Sequence, residues 1–150
     1  MKNIALIVLV SFSFLGFGQS MNITWEDSEG REFSINSHSH EFTYSIVAGD
    51  KVKYITKEFF GPVGAVAKIG DLKIKYITKS HFGPLGAVSQ IGDVKIKYIT
   101  KVYFGPLNAI SQAGGLKIEY ITNDHYGPVG SIKETTGTVL SGRVLPLLNR

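Results

Sequence analysis

The chain has no cysteine among its 150 residues, and only 5 prolines and one tryptophan. Without a thiol there is no disulfide scaffold, no Cys-ligated zinc or iron–sulfur site, no thiol nucleophile and no N-terminal lipid anchor. No stretch past residue 20 repeats its apolar residues every 3.6 positions, which disfavours helix. No phosphate loop, dinucleotide fingerprint or serine nucleophile elbow occurs, and nothing calls for a cofactor. Disorder is excluded by a 43% hydrophobic and 11% aromatic composition, and the length fits one domain with a core.

Residues 1–18 have the layout of a secretory signal peptide. Lys2 supplies the positive start, an apolar run extends from Ile4 to Leu15, and Gly16 and Gly18 stand at −3 and −1 to a cut before Gln19. The run is shorter than the roughly 20 residues of a transmembrane helix. The expected location is secreted or periplasmic.

Charge is unevenly spread. Residues 19–50 carry Arg31 against six acids, and residues 51–117 carry eleven lysines against three. That basic stretch repeats. Residues 70–91 (GDLKIKYITKSHFGPLGAVSQI) and 92–113 (GDVKIKYITKVYFGPLNAISQA) agree at 16 of 22 positions without a gap. A third copy begins at Gly114, and an earlier one, a residue shorter, at Gly49; Tyr54, Tyr76, Tyr98 and Tyr120 mark the period. Four parts follow: leader 1–18, N-terminal cap 19–48, repeats 49–136, and a C-terminal cap strand and tail 137–150.

Each unit reads as a β-hairpin. Leu72 to Thr78 alternates with period 2, Gly86 to Ile91 forms a second strand, and Gly92-Asp93 suits a two-residue turn. The recurring aromatic-Gly-Pro segment predicts a type I turn with Pro84 second and Gly86 fourth. The expected fold is all-β: an antiparallel meander of about four hairpins between non-repeating caps, as a curled sheet or open barrel or roll. The caps include expected strands near 32–35 and 42–46.

Pairing out from Gly92-Asp93 sets Ile91 against Val94 and Ala87 against Tyr98. One face then gathers Val94, Ile96, Tyr98, Ile91 and Ala87. It is expected to be buried under a curled sheet, under the caps, or in a homo-oligomer. The opposite face gathers Lys51, Lys53, Lys57, Lys73, Lys75, Lys79, Lys95, Lys97, Lys101 and Lys117, with Ile55, Ile77 and Ile99 between them. With lysine rows two strands, or about 10 Å, apart, repulsion in water is about 0.4 kcal/mol per pair. Such a face keeps a sheet soluble, or it binds an anionic glycan or another polyanion.

His38 and His40 would share one side of a strand, half of a divalent-metal site, which leaves a metal-binding or metal-dependent enzyme role as an alternative. His81 and His125 fall where other units carry Phe59 and Tyr103, so a catalytic role does not fit them. Glu26 and Glu29 read as solvated. A small outer-membrane barrel is compatible with the alternation, but its strands would be short.

The hairpin-per-repeat plan with recurring Tyr and Gly resembles MORN-type repeats over residues 49–136, which implies an elongated curved sheet; the Tyr-x-Gly-x-Trp core of that family is absent. Residues 69–76 and 91–98 (IGDLKIKY and IGDVKIKY) are closer in style to short secreted bacterial Ile-Gly-x-Leu-x-Ile-x-Tyr repeat proteins. Neither resemblance supplies a site residue. The expected role is structural or surface-binding, not enzymatic.

Overall fold

The computed structural model describes residues 10–14 and 19–140. Within them the fold is all-β, in two antiparallel meanders. Strands β1 (Val10–Phe14), β2 (Gln19–Glu26), β3 (Glu32–Asn36) and β4 (Phe42–Tyr44) form a four-stranded sheet in sequence order. Strands β5 (Val52–Tyr54), β6 (Val66–Ile69), β7 (Leu72–Tyr76), β8 (Val88–Ile91), β9 (Val94–Tyr98), β10 (Ile110–Ala113), β11 (Leu116–Tyr120) and β12 (Ile132–Thr136) form an eight-stranded sheet, also in sequence order. Its edges, β5 and β12, do not meet, so it is open rather than a closed barrel. β1 falls inside the expected leader; the rest of residues 1–18 lies outside the described residues.

Each repeat is a hairpin with two different ends. At one end Gly70, Gly92 and Gly114 lead two-residue turns with φ of 55–58°, followed by residues at negative φ, as a turn with glycine first requires. Ile91 pairs with Val94 and Gln90 with Lys95, the expected register. At the other end a single 3₁₀ turn, such as Ser80–Phe82, precedes Gly83. The tight turn there is one residue later than expected. Ala87 N–H donates to the Pro84 carbonyl, so Pro84 is first and Gly86, at φ 84°, is third. That geometry is type II, which needs positive φ at its third residue. Asn108 takes this position in the next unit at φ 70°. Asparagine is the side chain that best tolerates it after glycine.

The predicted inner face is buried: Ile91, Val94, Ile96, Tyr98 and Ala87 all lie in the core. Two placements differ from the alternation. Val88, expected on the lysine face, is 3% exposed. The ladder from β7 to β8 steps from Lys75–Gln90 to Tyr76–Val88, so Ser89 is an extra residue. Such a bulge turns Val88 inward while Gln90 stays outside. The same irregularity recurs in the neighbouring units. Ile55, Ile77 and Ile99 are also buried rather than set among the lysines. The chain leaves the ladder after each tyrosine, and Ile77 bonds instead to the opposing turn, through Ala87 O and Gly86 N. Tyrosine and isoleucine then both turn inward in succession.

The layer over the apolar face comes from the N-terminal sheet. Met21, Ile23, Trp25, Phe33 and Ile35 join Ile69, Ile91, Ile110 and Ala113 in one cluster. Trp25 packs on Phe33 with ring centroids 5.5 Å apart. Ile110 N–H donates to Ser37 O, stitching the β3–β4 turn to the repeat sheet. The expected C-terminal strand is not formed over residues 138–140; instead Val139 is buried and its carbonyl accepts from Gly115 N–H. Residues 141–150 lie outside the described residues.

A tyrosine joins each repeat to the one before it. The Tyr98 ring lies over Gly83, where an added Cβ would come within 2.9 Å of it, and its hydroxyl donates to Val88 O at 2.6 Å. Tyr76 covers Gly61 and Tyr120 covers Gly105 in the same way. The glycine of each of the first three aromatic-Gly-Pro segments is thus the space the next unit's ring occupies, while Gly127 lies against Ile121. Burial raises the phenol pKa of Tyr76 to about 12, and those of Tyr98 and Tyr120 rise for the same reason.

Candidate binding surface

All ten predicted lysines are exposed. None of them forms an ion pair among the described residues, where the salt bridges are Arg31–Asp27, Arg31–Asp50 and Lys133–Glu119. Strand pairing orders the inner part of the set into oblique rows. Lys53 faces Lys68, which faces Lys73. Lys75 faces Gln90, which faces Lys95. Lys97 faces Gln112, which faces Lys117. The fourth row sets Glu119 against Glu134. Positive charge therefore accumulates at the β5 edge and reverses at β12. Lys57, Lys79 and Lys101 stand apart from the rows, in the extended residue before the first three 3₁₀ turns. Lys101 Nζ sits 6.0 Å from the Tyr103 ring centroid.

Lys68 is the member that pattern reading missed. It stands where the other units carry Gln90, Gln112 and Glu134, and aligning the repeats on that position would have revealed it. Its rungs bring lysines directly opposite each other, at about 5 Å rather than 10 Å, where two unit charges repel by about 0.8 kcal/mol in water. In the second and third rows a glutamine amide separates the charges and donates to a turn carbonyl, Gln90 to Gly92 O at 2.7 Å and Gln112 to Gly114 O at 2.8 Å.

Beside these rows lie three grooves at the repeat spacing. The first, about 570 Å³, is lined by Lys53, Lys68, Lys73 and Lys75 together with Tyr54, Phe59 and Phe60. The second, about 520 Å³, has Lys95, Lys97, His81 and Phe82. The third, about 490 Å³, has Tyr103, Phe104, Glu119 and Lys133. Their outer wall is a ridge made by the four connecting turns. Phe60, Phe82, Phe104 and Tyr126 are exposed on it, as are Val63, Leu85, Leu107 and Val129. Neighbouring turns approach closely: a Cβ on Gly86 would lie 3.2 Å from Pro62 Cγ.

Two of the three two-residue turns at the opposite end of the repeat sheet carry an acid. Asp71 and Asp93 line a cleft of about 390 Å³ with Asp27, Glu29, Trp25 and Arg31. Arg31 is buried there, bonding Asp50 through Nε at 2.8 Å and Nη2 at 2.7 Å, and Asp27 through Nη1 at 3.0 Å. The guanidinium and the Val47 N–H hold the Asp50 carboxyl at a pKa of about 2. This fork ties the cap to the first repeat and rests on Gly70, where a Cβ would strike both partners. A carboxyl whose pKa falls on folding adds stability above its unfolded pKa of about 4 and loses it as pH drops toward 2. Stability should therefore decline as pH falls from about 4 to about 2, and Arg31→Gln should flatten that decline, as urea unfolding repeated across this pH range would show.

His38 and His40 are in the turn between β3 and β4, not on a strand. Each packs edge-on against a core tyrosine, His38 on Tyr120 at 5.8 Å and His40 on Tyr98 at 5.2 Å. His40 Nε2 is 2.5 Å from Asn108 O, and His38 Nδ1 is 2.8 Å from Ser37 Oγ. Burial lowers the His38 pKa. No group of three or more His, Asp or Glu side chains gathers among the described residues. His81 and His125 are exposed in the 3₁₀ turns, and Glu29 is exposed as well. Compared with protein-family models, with curated proteins and with solved structures, the chain matches none.

Proposed function

We propose that this chain is an exported, non-enzymatic β-repeat protein that holds an anionic polymer along its lysine rows. The carrying observation is the Lys53–Lys68–Lys73 row. Directly opposed like charges cost stability, and the glutamines at the same position in the next two units show that the fold does not require lysine there. Solubility alone would be served as well by Lys-Gln-Lys. A polyanion turns that repulsion into attraction, by supplying the counter-charge that the chain does not.

Affinity on such a surface is the sum of many weak contacts, with release of condensed ions, so it falls steeply with salt. The purified protein should be retained on heparin and elute with rising salt. Reversal of the two lysines of β7, Lys73→Glu with Lys75→Glu, should reduce the slope of log affinity against log salt by about two, or about one per lysine. Lys95→Glu with Lys97→Glu should act similarly, and thermal stability should stay nearly unchanged because exposed charges contribute little to folding. Lys68→Gln should weaken binding while stabilising the fold by about 0.2–1 kcal/mol. Retention that is independent of salt, or unaffected by all three variants, would overturn this reading.

A further inference from the structure

The ridge on the outer wall of the grooves is a second surface, and the lysine rows do not account for it. Exposed apolar residues that gather in one contiguous patch mark an interaction surface. Here each of four units places an aromatic and an aliphatic residue at its crest, Phe82 at 60% and Phe104 at 64% exposure among them. The topology makes the ridge continuous. Successive connections alternate between long and tight, so all four long ones fall at one end of the sheet.

Charge names the occupant. Lys79 and Lys101 stand at the base of the second and third turns, and the third turn, Val102–Phe104, carries no acid. Glu58 and Asp124 confine negative charge to the first and fourth turns, at the two margins. The lysine rows adjoin the ridge on the outer face. The far end of the molecule carries Asp27, Glu29, Asp71 and Asp93. The protein thus has an apolar crest flanked by lysine at one end and carboxylates at the other. A flat, negatively charged interface with an apolar interior matches that polarity, because it takes up Phe and Leu tips, attracts the lysines, and repels the acidic end away from itself.

We infer that the ridge docks on the surface of an anionic lipid bilayer, with the second and third turns dipping into the interface. This surface is separate from the polymer reading, and either can fail alone. The crest residues are exposed, so changing them leaves the core untouched.

Co-sedimentation with vesicles tests it, using phosphatidylcholine alone against equal parts phosphatidylcholine and phosphatidylglycerol. The protein should bind the anionic vesicles and not the neutral ones. Leu85→Ser with Leu107→Ser, at crest positions outside the lysine-lined grooves, should reduce binding by about tenfold per leucine, while heparin retention is kept. Lys79→Gln and Lys101→Gln should each cost about fivefold and lessen the salt dependence. Undiminished vesicle binding by the serine pair would overturn the inference. So would loss of heparin retention in that pair, which would assign the ridge to a glycan. A dimer that the same pair dissolves, seen by analytical ultracentrifugation without lipid, would assign it to a second copy of the chain and equally overturn the lipid reading.

Discussion

Tyr98→Ala should destabilise the protein by about 3–5 kcal/mol, and Tyr54→Ala, at the same position in the first unit, by less than about 1 kcal/mol. The two tyrosines are equivalent in sequence and differ in what lies upstream and in strand position, Tyr54 being on the edge strand β5. Tyr98 is 6% exposed because its ring fills the space over Gly83, and its hydroxyl bonds Val88 O. No aromatic-Gly-Pro turn precedes Tyr54, which is 56% exposed. Tyr120→Ala should match Tyr98→Ala, and Tyr76→Ala should fall between, since that ring is only partly buried. Tyr98→Phe isolates the hydroxyl and should cost about 1 kcal/mol. Urea unfolding of the four alanine variants gives the ranking; four equal losses would mean that the ring does not act through the preceding turn.

The second large effect lies in the cover. Trp25→Ala should cost about 3–5 kcal/mol as a buried aromatic, and it should also change how the protein behaves in solution. Trp25 and Phe33 seal the apolar side of the repeat sheet. Loosening them exposes Ile91, Val94 and the residues around them, and an exposed apolar sheet face seeks a partner. The variant should therefore self-associate at concentrations where the native protein stays dispersed. Light scattering beside thermal unfolding separates the two consequences; a destabilised protein that remained dispersed would show that the face is closed by other means.

Much of this architecture was legible because it is local and repeated. The glycine-led turns, the Ile91–Val94 register and the buried set around Tyr98 follow from two-residue periodicity and turn chemistry. Periodicity counts one residue per rung, however, and a bulge adds one without a compositional signal, since Ser89 is as ordinary in a bulge as in a strand. Val88 departs from the alternation for that reason, whereas Lys68 lies ahead of the bulge, in the register that the Gly70-Asp71 turn sets, and shows in the sequence once the repeats are aligned. The inward turn of Ile77 leaves no periodic signal because its hydrogen bonds go to a turn rather than a strand. The cover was harder still. β2 was not singled out, and although Arg31 stood out as the lone cation among six acids, nothing local says that its partner is Asp50, 19 positions away. The ten lysines were placed on an exposed surface correctly, but the division into inner rows and outlying Lys57, Lys79 and Lys101 needed the point where the chain leaves the ladder.

The two sheets differ in width, and that bounds the copy number of the repeat. Four strands span about 19 Å and eight about 38 Å, so the lid is half as broad as what it covers. Tandem near-identical segments invite unequal recombination, and each added unit would widen the array by about 10 Å. A new unit would bring its own tyrosine to close the preceding turn, so hairpin geometry sets no upper limit. Its inner face would find no lid. Longer arrays should then be lost through insolubility rather than misfolding, unless the cap widened with them.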